Sequence, residues 1–225
     1  MGGDNDQAGP FAVKDCALVA IATGRKAQSL TELRHNLQTI REGCIYYHFW
    51  GGLLRPRFDD PQYVNDFAVL CHYSLHDDTL AERLAVVDPT DFEDLEGLRQ
   101  ELIEIIDQRL DELERSTWVP REFQFHFIRS QIVVLDTGVT LEAPEELQEI
   151  VPTMPLGSIF YHFIDARRRS PEHTDDFRAW LRGCSEHYKP VCDCLAGVDP
   201  YFKTLTELRE QLADALRTAF RAVRS

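Results

Sequence analysis

Residues 43–49 read Gly-Cys-Ile-Tyr-Tyr-His-Phe and residues 157–163 read Gly-Ser-Ile-Phe-Tyr-His-Phe, so five of seven positions are identical 114 residues apart. Matches continue outward from this pair in the same order. Glu32-Leu33 answers to Glu146-Leu147 before it, and Asp66-Phe67 to Asp176-Phe177 after it. Val87-Asp88-Pro89 answers to Val198-Asp199-Pro200, and Leu95, Leu98, Arg99 and Leu102 to Leu205, Leu208, Arg209 and Leu212. The offset moves only from 114 to 110 or 111, which puts about four extra residues in the first half near Trp50-Gly-Gly-Leu. A colinear series of this kind reads as an internal duplication. The halves span 11–117 and 118–225 behind a flexible polar arm at 1–10. They are expected to pack as one compact unit, two similar helical halves related by a pseudo-two-fold axis.

The local patterns predict a mainly α fold with minor β. Ser29-Leu-Thr-Glu32 and Thr204-Leu-Thr-Glu207 carry the Ser/Thr-x-x-Glu arrangement that satisfies unpaired amides at a helix start. Leucines and isoleucines at helical spacing predict long amphipathic helices from Phe92 to about Arg115 and from Leu205 to the end. Shorter helices are predicted between Pro61 and Val87 and between Glu172 and Val198, with Pro190 starting or breaking one of them. Two short strands are predicted, Leu18-Val-Ala-Ile-Ala ending at Thr23-Gly24, and a segment from Phe123 through Gln131-Ile-Val-Val-Leu to Asp136-Thr-Gly. The Ala-rich stretch 16–22 is also compatible with helix.

Composition excludes several classes of function. The 225 residues form one large domain or two small ones, long enough to bury about 70% of the unfolded surface. Against 38 Asp and Glu stand 24 Lys and Arg, a net charge of −14. Such a balance opposes nucleic acid, whose binding depends on cations that neutralise phosphates, and opposes an anionic membrane surface. No apolar run approaches a membrane span, and Met1-Gly-Gly-Asp-Asn-Asp lacks the basic start of a secretory signal. Six scattered cysteines, several among apolar neighbours, suit free thiols in a reducing compartment. The expected location is cytoplasmic.

One stretch carries a family resemblance. His48-Phe-Trp-Gly-Gly-Leu-Leu-Arg-Pro-Arg-Phe-Asp-Asp-Pro-Gln-Tyr-Val-Asn-Asp-Phe67, with Phe11-Ala-Val-Lys-Asp-Cys-Ala-Leu18 and Phe125-His-Phe-Ile-Arg-Ser-Gln131, resembles a bacterial family catalogued only as a domain of unknown function. The resemblance covers the chain from residue 11 onward. It implies a bacterial origin and no activity, and its association with glycosyltransferase-rich neighbourhoods points towards carbohydrate metabolism. Ile45-Tyr-Tyr-His-Phe is also similar to the end of the recognition helix in tetracycline-repressor-type regulators. The turn that such regulators need upstream is replaced here by Gln38-Thr-Ile-Arg-Glu-Gly43, in a strongly acidic chain.

Three groups of residues bear chemistry. His48 and His162 recur with Tyr47 and Tyr161, and a Tyr–His pair serves acid–base catalysis or, as plainly, hydrogen-bonds within a core. Arg55 and Arg57 follow the first Tyr-His-Phe, and Arg167, Arg168 and Arg169 the second. Guanidinium forks match phosphate and carboxylate geometry, although Asp59-Asp60 and Asp175-Asp176 stand close enough in sequence to absorb those charges. Cys184, His187, Cys192 and Cys194 place four metal-ligand types within eleven residues, but at a spacing that matches no standard zinc site. No cofactor-binding glycine motif and no nucleophile elbow is present. The sequence therefore reads as a binding or regulatory accessory protein for a small anionic metabolite or a protein partner, with no cofactor. The alternative is an enzyme acting on a phosphorylated or carbohydrate substrate with His48 or His162 as acid or base.

Overall fold

A computed structural model of the chain describes residues 8–54, 62–113 and 118–224. The fold is mainly helical, with one two-stranded antiparallel sheet. The chain forms two compact units, one of residues 18–132 and the other of residues 1–17 with 133–225. Strand β1, Phe11–Ala27, opens in the second of these and finishes in the first. Packing thus assigns the leading strand segment to the later helices, whereas the repeats expected from the sequence divide between 117 and 118.

In the 18–132 unit, α1 (Leu30–Leu37) starts at Ser29, whose hydroxyl accepts from Glu32 N at 3.2 Å. Glu32 in turn accepts from Gln28 N at 2.8 Å, completing the reciprocal cap that the Ser-x-x-Glu spacing implies. Helix α2 (Glu42–Trp50) holds the first Tyr-His-Phe and is buried at every position from Cys44 to Trp50, so it runs through the unit's core. It stops at Gly51, where a Cβ would stand 2.5 Å from Tyr47 O. Helices α3 (Asp66–Tyr73), α4 (Asp78–Ala85) and α5 (Leu95–Glu112) begin at the side-chain caps Asn65, Asp77 and Asp94. The amphipathic face of α5 buries Leu98, Leu102 and Ile106. Its Arg99 is buried too, donating to Leu37 O at the end of α1 and pairing with Glu96 at 2.7 Å. Strand β2 (Phe125–Leu141) leads into the second unit.

The unit of 1–17 and 133–225 continues with α6 (Leu147–Ile150) and α7 (Leu156–Ile159). A π-helical turn over Phe160–Asp165 and then α8 (Ala166–Arg169) follow without a break. Next come α9 (Asp176–Cys184), α10 (Lys189–Ala196) with Pro190 in its first turn, and α11 (Leu205–Arg224). Helix α11 buries Leu205, Leu208, Leu212, Leu216 and Phe220 along one stripe. Of the arm expected at 1–10, residues 1–7 lie outside the described residues. Ala8 N donates to Gly183 O at 3.0 Å, and Trp180 Nε1 donates to Gly9 O at 2.8 Å.

The strands depart most from expectation. Each is 17 residues long rather than a short piece, and the Ala-rich stretch 16–22 is strand rather than helix. The physical reason lies at the two glycines read as turn ends. Gly24 (φ 75°) and Gly138 (φ 71°) take left-handed backbone that side-chain-bearing residues avoid. The threonine before each one replaces the interrupted ladder. Thr23 Oγ1 donates to Phe127 O at 2.6 Å and accepts from Arg25 N at 3.2 Å. Thr137 Oγ1 donates to Val13 O at 2.6 Å and accepts from Val139 N at 3.2 Å. Pairing therefore continues through a kink that resembles a bulge instead of ending there. No helix among the described residues is long and apolar enough to cross a membrane.

Candidate functional site

The two histidines occupy matching settings, each inside its own unit. His48 is 3% exposed, with Nδ1 2.8 Å from Asp66 Oδ2 and Nε2 accepting from Ile128 N at 3.1 Å. His162 is also 3% exposed, with Nδ1 2.8 Å from Asp176 Oδ2 and Nε2 accepting from Lys14 N at 2.8 Å. An Nε2 that accepts an amide hydrogen carries no proton, so Nδ1 bears it and donates to the carboxylate. The His48 ring packs on Phe125 at 4.6 Å and Phe67 at 5.3 Å, and the His162 ring on Phe11 at 4.8 Å and Phe177 at 5.7 Å. Each imidazole thus ties a core helix to a strand and to the helix after it, and both of its nitrogens are engaged. Tyr47 is buried, while Tyr161 lies beneath the Arg169 guanidinium at 4.0 Å.

Arg55 and Arg57 lie outside the described residues. The second arginine cluster sits on α8, facing three aspartates. The π-helical turn brings Asp165 inward to 1% exposure. Arg168 Nη2 reaches its Oδ1 at 3.1 Å and Arg169 Nε its Oδ2 at 2.9 Å. Arg169 Nη2 also reaches Asp176 Oδ2 at 3.0 Å, joining this network to the His162 pair. Arg167 lies 3.8 Å from Asp175 Oδ2 and over the Phe163 ring at 4.7 Å. Asp175, fully buried, also caps α9 and pairs with Arg178 at 2.5 Å. These contacts neutralise positive charge that would otherwise face a ligand.

The sulfur-rich stretch is dispersed over three elements. Cys184 ends α9, His187 lies in a 3-10 turn, and Cys192 and Cys194 lie on α10. Cys192 Sγ points to Arg178 O at 3.8 Å and Cys194 Sγ to Ala215 O at 3.6 Å. Burial first, then the charge of Glu145, raises the pKa of the Cys184 thiol, which disfavours the thiolate that a metal needs. Among the described residues no three His, Cys, Asp or Glu side chains are grouped to hold a metal ion.

A cavity of about 360 Å³ in the 18–132 unit brings together residues that no local sequence pattern connects. Its walls are Ile21, Ala22, Thr23 and Arg25 at the β1 kink, Thr39, Ile40 and Arg41 before α2, Cys44 in the first turn of α2, and Arg129 on β2. The kink at Gly24 turns Arg25 towards the loop, where its Nη1 donates to Thr39 Oγ1 at 2.5 Å. Arg41 is the N-cap residue of α2 and provides no side-chain cap, its carbonyl accepting instead from Cys44 N at 2.8 Å. Arg129 crosses over the second residue of α2, its Cγ 3.0 Å from where a Cβ on Gly43 would stand. Among the described residues no carboxylate lies within ion-pair distance of Arg25, Arg41 or Arg129. Burial raises the Cys44 pKa, and the charges of Arg129 and Arg25 oppose that rise, which marks their field at the cavity wall. The three arginines escape sequence reading because they stand at 25, 41 and 129. Only strand pairing and the approach of α2 bring them together.

The comparisons with known proteins agree with this fold. A solved structure, that of OrfY from Thermoproteus tenax, is similar with a TM-score of 0.80 and 25% identity, over 95% of this chain and 97% of that one. No curated protein matches the chain. The model of a family of unknown function, DUF5752, matches residues 8–217, nearly the whole length, and the chain belongs to that family.

Proposed function

We propose that this protein is a non-enzymatic binding or regulatory protein whose 18–132 unit holds a small anionic ligand between Arg25, Arg41 and Arg129. The observation that carries the reading is the cavity itself. Three guanidiniums without carboxylate partners among the described residues line about 360 Å³ in a chain of net charge −14. Leaving cations unpaired where acidic groups are so abundant favours a site that takes its counter-charge from a ligand. The α8 arginines already face Asp165, Asp175 and Asp176. The engagement of both nitrogens in His48 and His162 supports a binding role over acid–base catalysis.

The reading includes an origin by internal duplication, supported by bonds that recur 114 or 110 residues apart in the two units. They are the paired His–Asp–amide bonds, the paired Thr–carbonyl bonds, and the Glu32 and Glu146 caps. It also includes a cytoplasmic location, which suits six free cysteines. The test is thermal unfolding of the whole chain at low salt with sugar phosphates, nucleotides and sugar acids. A ligand at a hundredfold over its Kd stabilises by about 2.7 kcal/mol. At least one anion is expected to raise the midpoint in the wild type and to lose that effect in the Arg25→Gln, Arg129→Gln double variant. A flat screen, or a response that the double variant keeps, overturns the reading.

A further inference from the structure

Resting on that anion-binding reading, we infer that each chain carries one such site, and that it takes a compact ligand bearing two or more acidic groups. The argument starts from the same place in the other unit. A displacement of 114 residues, which relates His48 to His162, carries Arg25 to Val139, Arg41 to Pro155 and Arg129 to Asp15. All three cations are lost there, and one is replaced by an anion.

The local backbone at the two places is alike. Gly43 is the second residue of α2 and Gly157 the second of α7, and a strand passes over each. Ser130 Oγ donates to Gly43 O at 3.3 Å, as Cys16 Sγ does to Gly157 O at 3.3 Å. What differs is the charge laid against the helix start. In the unit of 133–225, Asp15 Oδ1 rests on Gly157 so closely that a Cβ there would collide with it, and it accepts Cys16 N at 2.9 Å. That unit contains its own carboxylate. Neither α2 nor α7 has a side-chain cap, but in the 18–132 unit the residue corresponding to Asp15 is Arg129, and the space beside it is open. The favourable partner of a helix start is negative. One unit lays a carboxylate of its own against the second residue of the helix, and the other lines the same place with three arginines.

The lining sets the ligand class. Among the described residues no carboxylate, amide side chain or aromatic ring lines the cavity, so nothing there suits the hydroxyl fans of a neutral sugar or the face of a base. Its polar side chains are the three arginines with Thr23 and Thr39, whose hydroxyls already donate to Phe127 O and Asn36 O, so the guanidiniums are the donors that face a ligand, beside Ile21, Ala22 and Ile40. Three guanidiniums carry three positive charges, more than one carboxylate or one monophosphate neutralises. Three forks around one cavity suit an oligophosphate or a polycarboxylate, which share the needed chemistry.

Isothermal titration of the full chain with pyrophosphate, citrate, inorganic phosphate and glucose tests this. Pyrophosphate or citrate is expected to bind at one per chain, at least tenfold more tightly than inorganic phosphate, with glucose silent. Each of Arg25→Gln, Arg41→Gln and Arg129→Gln is expected to weaken binding about tenfold. Arg129→Asp, which installs the charge found in the other unit, is expected to abolish it. Arg25 and Arg41 are exposed, so their variants test the site even if substitutions at half-buried Arg129 impair folding. Arginine-dependent binding in which phosphate equals the polyanions, or in which two ions bind per chain, overturns this inference and leaves the anion-binding reading standing. If no anion binds, or no arginine variant alters binding, both fall.

Discussion

At the scale of single residues, the two glycines that open the repeated motif do the same work against different obstacles. At Gly157 an added Cβ would meet the Cys16 carbonyl and the Asp15 carboxylate, whereas at Gly43 the nearest atom is Arg129 Cγ at 3.0 Å. Backbone cannot move aside without shifting the strand, but a long side chain can. Gly157→Ala is therefore expected to destabilise by about 1–3 kcal/mol, the usual range for overpacking, and Gly43→Ala by distinctly less. Urea unfolding of both variants checks the order, and equal losses would contradict it. The motif histidines belong to the same scale. Sequence picks out His48 and His162 as candidates, yet their partners Ile128 N and Lys14 N are distant in the chain and invisible to spacing.

At the scale of elements, capping is where local sequence speaks most directly. Glu207, three residues into the last helix, accepts from Thr204 N at 2.9 Å and from Thr204 Oγ1 at 2.8 Å. The backbone bond foremost, then the hydroxyl, holds its carboxyl below the ordinary range. A depressed carboxylate contributes stability that is complete above its unfolded pKa and is lost as pH falls through the folded one. Glu207→Gln is expected to be less stable than wild type at neutral pH. The gap should narrow as the solution is acidified past the carboxylate range, measured by thermal unfolding across pH. A gap independent of pH would assign the effect to shape rather than charge. The strands show the opposite limit of local reading. Thr-Gly at 23–24 and 137–138 looks like a turn, and only the carbonyls of Phe127 and Val13 on the facing strand let pairing continue through it.

At the scale of the whole molecule, six free thiols are spread over both units, and their exposure predicts their chemistry. Cys16, Cys44, Cys71 and Cys192 are buried, whereas Cys184 and Cys194 are half-buried. Burial first, then Asp165 and Asp15, pushes the Cys16 pKa up to about 12, and burial chiefly drives that of Cys71 upward as well. Thiolate is the reactive form. A thiol-specific disulfide reagent at mildly alkaline pH is expected to modify Cys184 and Cys194 first. The other four should react only as the chain unfolds, at rates that follow denaturant concentration. Mass spectrometry of partly labelled protein reads the order, and early labelling of Cys16 or Cys71 would contradict it.

The sequence by itself determined the helical content, the capped starts, the apolar stripes of α5 and α11, and a repeated pattern around Tyr-His-Phe. These follow from interactions within a few residues, or from periodicities that survive without knowledge of neighbours. Tertiary structure decided the length of the strands, which unit the first seventeen residues join, and what the α8 arginines face. It also decided the candidate site. Arg25, Arg41 and Arg129 are ordinary surface cations when read along the chain. They become a set only because antiparallel pairing and the approach of a helix start place them around one cavity, and charge convergence of that kind is a property of three-dimensional distance rather than of order in sequence.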